Sequence, residues 1–212
     1  MVNELQKRIF SSIILIPIAV FFTFQGSIYF IFFLSLLFMA TSYEWIMMCK
    51  KKYLMNFFGN IFLIFSFFSA FYIRENIGLL FFLFIILICI FTDIGGYVFG
   101  KVLKGPKLTK ISPNKTYSGV FGSFLISLSA GLFFLQYTNT DFLENDSSKI
   151  LPAILFISLI SQLGDLIISY FKRKAKLKNT GNILPGHGGL LDRIDGMIFV
   201  IPIIFILIFT VK

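Results

Sequence analysis

Seven apolar stretches, at residues 9–24, 28–48, 54–73, 77–99, 118–137, 150–171 and 194–211, fill most of this 212-residue chain. A helix needs roughly 20 apolar residues to cross a bilayer core, fewer where the bilayer is thin. All but the first come close to that length. None shows the period-two alternation of a membrane barrel strand, so the runs predict helices. Composition agrees, at 57% hydrophobic, 14% charged and a mean hydropathy of +0.89. A soluble domain runs about 45–50% apolar and about 25% charged. Thirty phenylalanines would be hard to bury in one soluble core of this size. The expected fold is therefore all-α: a polytopic transmembrane bundle of about seven spans, forming one domain over residues 1–212. No internal repeat or linker divides it. With only Cys49 and Cys89, both in or beside apolar runs, a disulfide scaffold is excluded and packed, inert thiols are expected.

The formal net charge of +9 is read as topology, because basic residues in a membrane protein report orientation rather than nucleic acid. No basic, aromatic-interleaved module that would bind nucleic acid is present. Basic clusters fall at Lys7/Arg8, Lys50–Lys52, Lys101 to Lys115 and Lys172 to Lys178. Seven crossings from a cytoplasmic N-terminus place all four on one side. The other side receives Gln25–Ser27, the Arg74–Glu75 turn and the acidic residues Asp141, Glu144 and Asp146. One helix more or fewer would scramble this asymmetry. Lys7, Arg8 and the apolar run behind them resemble a signal peptide in outline. There is no small-x-small cleavage site and a second apolar run follows at once, so a retained first span is expected.

Ionisable groups inside an apolar bundle are costly, on the order of 2.5–3.5 kcal/mol at the bilayer centre, and each needs a reason. Four of the ten acidic residues, Asp93, Asp165, Asp192 and Asp195, gather at or near the ends of spans on the basic side. In the sixth span Ser158, Gln162, Asp165, Ser169 and Lys172 step by 4, 3, 4 and 3, which puts them on one helical face. Two readings stay open for that stripe: a hydrogen-bonded seam between helices, or the wall of a polar cleft. Asp192 and Asp195 share a face if helical, either complementing a helix N-terminus or joining a metal site. Carboxylates that converge repel one another unless a cation neutralises them, and hard oxygen ligands suit Mg²⁺. Two polar loops, 100–117 and 172–193, supply Lys, Arg, Gly and Pro. Such residues bind phosphate through charge and exposed backbone N–H groups. Together these features point to metal-assisted chemistry on a phosphorylated, membrane-resident substrate.

The run Ser169-Tyr170-Phe171-Lys172-Arg173, then Lys178, Gly181, Pro185-Gly186-His187-Gly188-Gly189 and Leu191-Asp192-Arg193-Ile194-Asp195, closely resembles the signature of phosphatidate cytidylyltransferases, the CDP-diacylglycerol synthases. The likeness continues upstream through Gly164-Asp165, Ser112-Pro113-Asn114-Lys115-Thr116, Asp93 with Gly95 and Tyr97, and Glu44-Trp45. The signature lies in 165–195, with a second cytoplasmic loop at 93–119. Two departures stand out. Asn179 follows Lys178 where the family usually has Asp, which bears on a metal or CTP contact. Gly196 follows Asp195 where the family usually has Ser. The chain is also short for the family.

The resemblance implies transfer of CMP from CTP to phosphatidate, giving CDP-diacylglycerol and pyrophosphate. It implies a metal, Mg²⁺ with room for a second cation, on Asp165 and Asp192 with Asp195 and Asp93. Lys172 and Arg173 are expected at the triphosphate, and His187 at a phosphate or a carboxylate. Ser112, Lys115, Thr116, Ser169, Lys178, Gly188, Gly189 and Arg193 are expected to bind substrate. A homodimer in a bacterial inner membrane, with the site facing the cytoplasm, completes the expectation. Three rivals remain at this point: a CTP-dependent enzyme acting on another membrane lipid, an ion or phosphate transporter, and an inactive homologue with a scaffolding role, marked by Asn179. Against transport, the charges gather toward one face, and no paired midplane helix breaks are apparent.

Overall fold

A computed structural model describes residues 4–50, 52–109, 112, 115–138, 147–184, 186 and 188–210. The described chain is helical: α1 Glu4–Gln25, α2 Ser27–Met48, α3 Tyr53–Tyr72, α4 Leu79–Val102, α5 Tyr117–Thr138, α6 Ser147–Lys174, the single turn α7 Leu191–Ile194, and α8 Met197–Thr210. A short π-helical turn, Ile73–Ile77, leads from α3 toward α4. Helices α2 to α6 are each long and apolar enough to cross a bilayer, and the apolar parts of α1 and α8 are shorter. The all-α membrane bundle read from the sequence is thus the observed architecture.

The centre of the bundle is built from Phe30 and Leu34 of α2, Ile85 and Ile88 of α4, Ile154 and Ile157 of α6, and Val200 and Ile204 of α8. Outward faces remain apolar as well, with Phe57 and Phe133 each more than 60% exposed, as expected of a lipid-facing surface. Lipid is as apolar as Leu, so close packing and interhelical hydrogen bonds, rather than burial from water, must hold such helices together. The α4–α5 pair shows how. A Cβ on Gly95 would collide with the Gly122 carbonyl oxygen, and one on Gly119 would lie 2.8 Å from the Gly96 oxygen. Only glycine permits that backbone approach. Across the same seam Ser123 Oγ donates to the Thr92 carbonyl at 2.8 Å, and Thr92 Oγ1 donates to Ser158 Oγ of α6 at 2.9 Å.

At one end of the bundle the chain turns tightly between α1 and α2, where Gly26 has φ 68°. Arg74 closes this corner, its Nε donating to the Thr23 carbonyl at 3.0 Å and Nη2 to the Phe24 carbonyl at 2.9 Å. These are C-terminal carbonyls of α1 that have no partner within the helix. Glu75 pairs with Arg74 at 2.7 Å and accepts from the Ser27 N–H at 2.7 Å. The Arg74–Glu75 pair therefore latches the turn between the first two helices. The opposite, basic end carries the two long loops, 103–116 and 175–190, and the polar site.

The sequence expectation of one span over 194–211 is modified. The last segment is a single helical turn, α7, followed by a turn at Asp195-Gly196 and then α8. The break arises where Gly196 is pressed against Ser161 of α6: a Cβ there would meet the Ser161 hydroxyl and lie 3.0 Å from its carbonyl oxygen. Gly164 of α6 lies equally close, since a Cβ on it would be 2.9 Å from the Asp195 carbonyl. Two glycines thus bring the carboxyl-bearing turn of the last segment directly onto α6.

Candidate active site

The close α4–α5 and α6–α8 contacts converge on a polar cavity of about 430 Å³ at the basic end. This volume falls in the range of small-ligand sites, roughly 300–1,000 Å³. Helix α4 contributes Asp93 and Tyr97, the α4–α5 loop contributes Ser112, Lys115 and Thr116, and α6 contributes Gln162, Asp165 and Lys172. Asn179, Asp192, Arg193 and Asp195 complete the wall. All four acidic residues singled out from the sequence face one space, together with Lys115, Lys172 and Arg193.

Inside the cavity the charges divide into two sets. Lys115 Nζ pairs with Asp165 Oδ2 at 2.5 Å and reaches the Gln162 carbonyl at 3.4 Å, which ties the α4–α5 loop to α6. Ser169, one turn beyond, donates to Asp165 Oδ1 at 3.2 Å. Asp93 and Asp195 face Asp165 closely enough for the three carboxyl groups to act on one another. The second set is centred on Asp192. Its Oδ1 takes Lys172 Nζ at 2.7 Å, and its Oδ2 accepts the backbone N–H groups of Thr180 at 2.8 Å and Gly189 at 3.3 Å. Asp192 therefore fixes the 180–189 loop against α6. Asp165 and Asp192, the expected main metal ligands, are alike in this geometry: both line the cavity and each has a donor on both carboxylate oxygens.

The polar stripe on α6 resolves by depth. Ser158 belongs to the interhelical seam, accepting from Thr92 and, at 3.4 Å, from Gln162 Nε2. Gln162, Asp165 and Lys172 line the cavity. Thr116 both lines the cavity and caps α5, its Oγ1 accepting from the Gly119 N–H at 3.1 Å. Five of the described residues expected at the substrate are placed outside the cavity wall, among them Ser169, which serves Asp165. Arg173 is exposed and donates to the Leu177 carbonyl at 3.3 Å, and Lys178 is exposed. Gly188 has φ +88° and exchanges backbone hydrogen bonds with Leu184, while Gly189 serves Asp192. The expected roles of His187, and of Pro113, Asn114 and Pro185 in the motifs, lie outside the described residues.

One contributor escaped assignment from the sequence. Glu44 of α2 is only 1% exposed and accepts from Leu190 N–H at 2.9 Å, Leu191 N–H at 2.8 Å and Thr180 Oγ1 at 3.0 Å. Its signal was available: a carboxylate within an apolar helix requires a buried partner. Its partners are two backbone N–H groups and one hydroxyl more than 130 positions away, too distant in the chain for any local pattern to mark them.

A second cavity, about 380 Å³ and almost wholly apolar, lies between α1, α2, α3, α4 and the last segment. Leu15 and Ala19, Phe33 and Leu37, and Ile194 and Ile201 are among its walls. Arg193 lines both cavities, so the polar and apolar spaces share a basic residue.

Residues 52–211 match the profile of the cytidylyltransferase family. The chain belongs to that family. Relatives include phosphatidate cytidylyltransferases of Staphylococcus aureus strain COL, 44% identical over 142 residues, and of Staphylococcus epidermidis and Staphylococcus haemolyticus, each 42% identical over 142 residues. The alignments cover 66% of this chain and 54% of each relative, so the matched cytidylyltransferase region spans about half the length of these relatives.

Proposed function

We propose that the protein transfers CMP from CTP to the phosphate of phosphatidate, forming CDP-diacylglycerol and releasing pyrophosphate. The observation that carries this reading is the arrangement around Arg193: a basic and acidic cavity of nucleotide size on one side, an apolar cavity on the other. In this reaction an oxygen of the phosphatidate phosphate attacks the α-phosphorus of CTP. The bond from that phosphorus to the α–β bridging oxygen breaks, and the electron pair leaves with pyrophosphate. The attacking oxygen is already anionic, so no general base is needed. The protein's task is to position the reactants and offset charge. Lys115, Lys172 and Arg193 hold phosphate groups in place. One acyl chain lies in the apolar cavity, with the lipid headgroup at Arg193.

Among the described residues no three acidic, histidine or cysteine groups form a ready-made metal cage. The donor chemistry nevertheless fits Mg²⁺, which is commonly held by one or two carboxylates together with substrate phosphates. Asp165, Asp195 and Asp93 bring mutually repelling oxygen ligands to the cavity, with Lys115 as the cation paired to Asp165. These three would hold the ion together with Asp192, which also keeps the loop in place. When bound, Mg²⁺ offsets the charge of the triphosphate and of the leaving pyrophosphate. The basic end faces the cytoplasm of a bacterial inner membrane by the positive-inside rule.

The test is an assay of purified protein with labelled CTP, Mg²⁺ and a panel of lipid phosphates. Labelled CDP-diacylglycerol from phosphatidate is the expected result. Transfer only to another lipid phosphate, or ion flux in vesicles without CTP turnover, would overturn the reading.

A further inference from the structure

Two carboxylates from distant parts of the chain hold the loop that joins Asn179 to Asp192 at the polar cavity. Asp192 lies inside the cavity, whereas Glu44 lies behind it, on a helix that contributes nothing to the polar wall. Glu44 Oε1 takes the Leu190 N–H, and Oε2 takes both the Leu191 N–H and the Thr180 hydroxyl. The two N–H groups open α7, where intrahelical acceptors are lacking. The carboxylate can approach because a Cβ on Gly181 would lie 2.6 Å from its Oε1, and one on Gly189 would lie 2.7 Å from its Oε2. Trp45, the next residue, points away from the loop, packing edge-on against Phe171 of α6 and donating to the Met55 carbonyl at 3.2 Å.

We propose that Glu44 is a positioning residue that sets the Thr180–Leu191 loop, and through it Asn179, Asp192 and Arg193, for nucleotide binding. The inference rests on the transferase reading for its kinetic consequence, while its structural part stands alone. All the donors it binds sit at the two ends of one loop, immediately beside cavity-lining residues. Glutamine cannot replace it, because an amide has one acceptor oxygen and one donor nitrogen. Whichever way it turns, a backbone N–H faces an NH₂ group and is left without an acceptor. Thr180 is the adjustable member, contributing one hydroxyl while its own N–H serves Asp192.

The experiment compares wild type with Glu44→Gln, Thr180→Val, Thr180→Ser and Trp45→Phe. It measures CTP and phosphatidate kinetics, thermal melting and amide hydrogen exchange. Glu44→Gln is expected to raise the KM for CTP about tenfold, the loss of one buried hydrogen-bond partner. The phosphatidate KM should rise as well, because Leu190 and Arg193 line the apolar cavity. Exchange should accelerate first at Thr180, Leu190 and Leu191. Thr180→Val should show a smaller change of the same kind, and Thr180→Ser should match wild type. Trp45→Phe is the structural comparator, expected to lower the melting temperature without moving the KM for CTP.

If Glu44→Gln does not accumulate, Thr180→Val carries the same measurement. An unchanged KM for CTP alongside a melting shift like that of Trp45→Phe would overturn the proposal, as would unprotected Leu190 and Leu191 amides in wild type. If wild type has no CTP turnover on any lipid, the functional reading fails, while the exchange comparison still decides whether Glu44 holds the loop.

Discussion

At the scale of single residues, the site depends on who neutralises whom. Lys115 is the cation paired with Asp165, so Lys115→Met removes a phosphate ligand and leaves three facing carboxyl groups less compensated. Turnover should fall by about a hundredfold or more, the usual loss when one preorganised charge partner is removed, measured as kcat/KM for CTP. Lys115 and Asp165 were legible as candidates because both are ionisable groups beside apolar runs. That Asp165 pairs with Lys115, and Asp192 with Lys172, was not legible, because the partners come from separate elements whose meeting depends on glycine contacts between helices. Gly196 also acquires a reason. The position where the family usually has Ser is filled here by the hydroxyl of Ser161. Gly196→Ser should cost about 1–3 kcal/mol as an overpacked core substitution. Adding Ser161→Ala should recover part of that loss, read as thermal unfolding in detergent.

At the scale of elements, helices were readable from hydropathy because a membrane span must satisfy its own backbone and declares itself by length. The seven apolar runs correspond to α1 to α6 and the last segment, with edges shifted by a few residues. The break at Asp195-Gly196 was hidden, since hydropathy runs on through it and only contact with Ser161 explains it. The α6–α8 contact is where an element-scale change should act on chemistry. In Gly164→Ala the added methyl would stand 2.8 Å from Phe199 Cδ2 and 2.9 Å from the Asp195 carbonyl. Moving the last segment outward draws Asp195 from Asp165. Activity should drop by about tenfold or more, as expected when reacting groups are misplaced by a fraction of an ångström. A control substitution at lipid-facing Phe133 should leave activity unchanged.

At the scale of the whole molecule, the bundle places its polar groups at one end and an apolar hollow beside them. Composition and charge asymmetry were enough to read a membrane protein with one basic side. They could not show that Arg193 lines both cavities, because that depends on how α1 to α4 pack around the last segment. The central claim is that Asp165 and Asp195 together anchor nucleotide transfer to a lipid phosphate. It is tested most directly by Mg²⁺-dependent transfer of label from CTP to phosphatidate, comparing wild type with Asp165→Asn and Asp195→Asn, all checked for intact melting. The account predicts labelled lipid from wild type and at least about a hundredfold less from each variant. Turnover by both variants at the wild-type rate would contradict it.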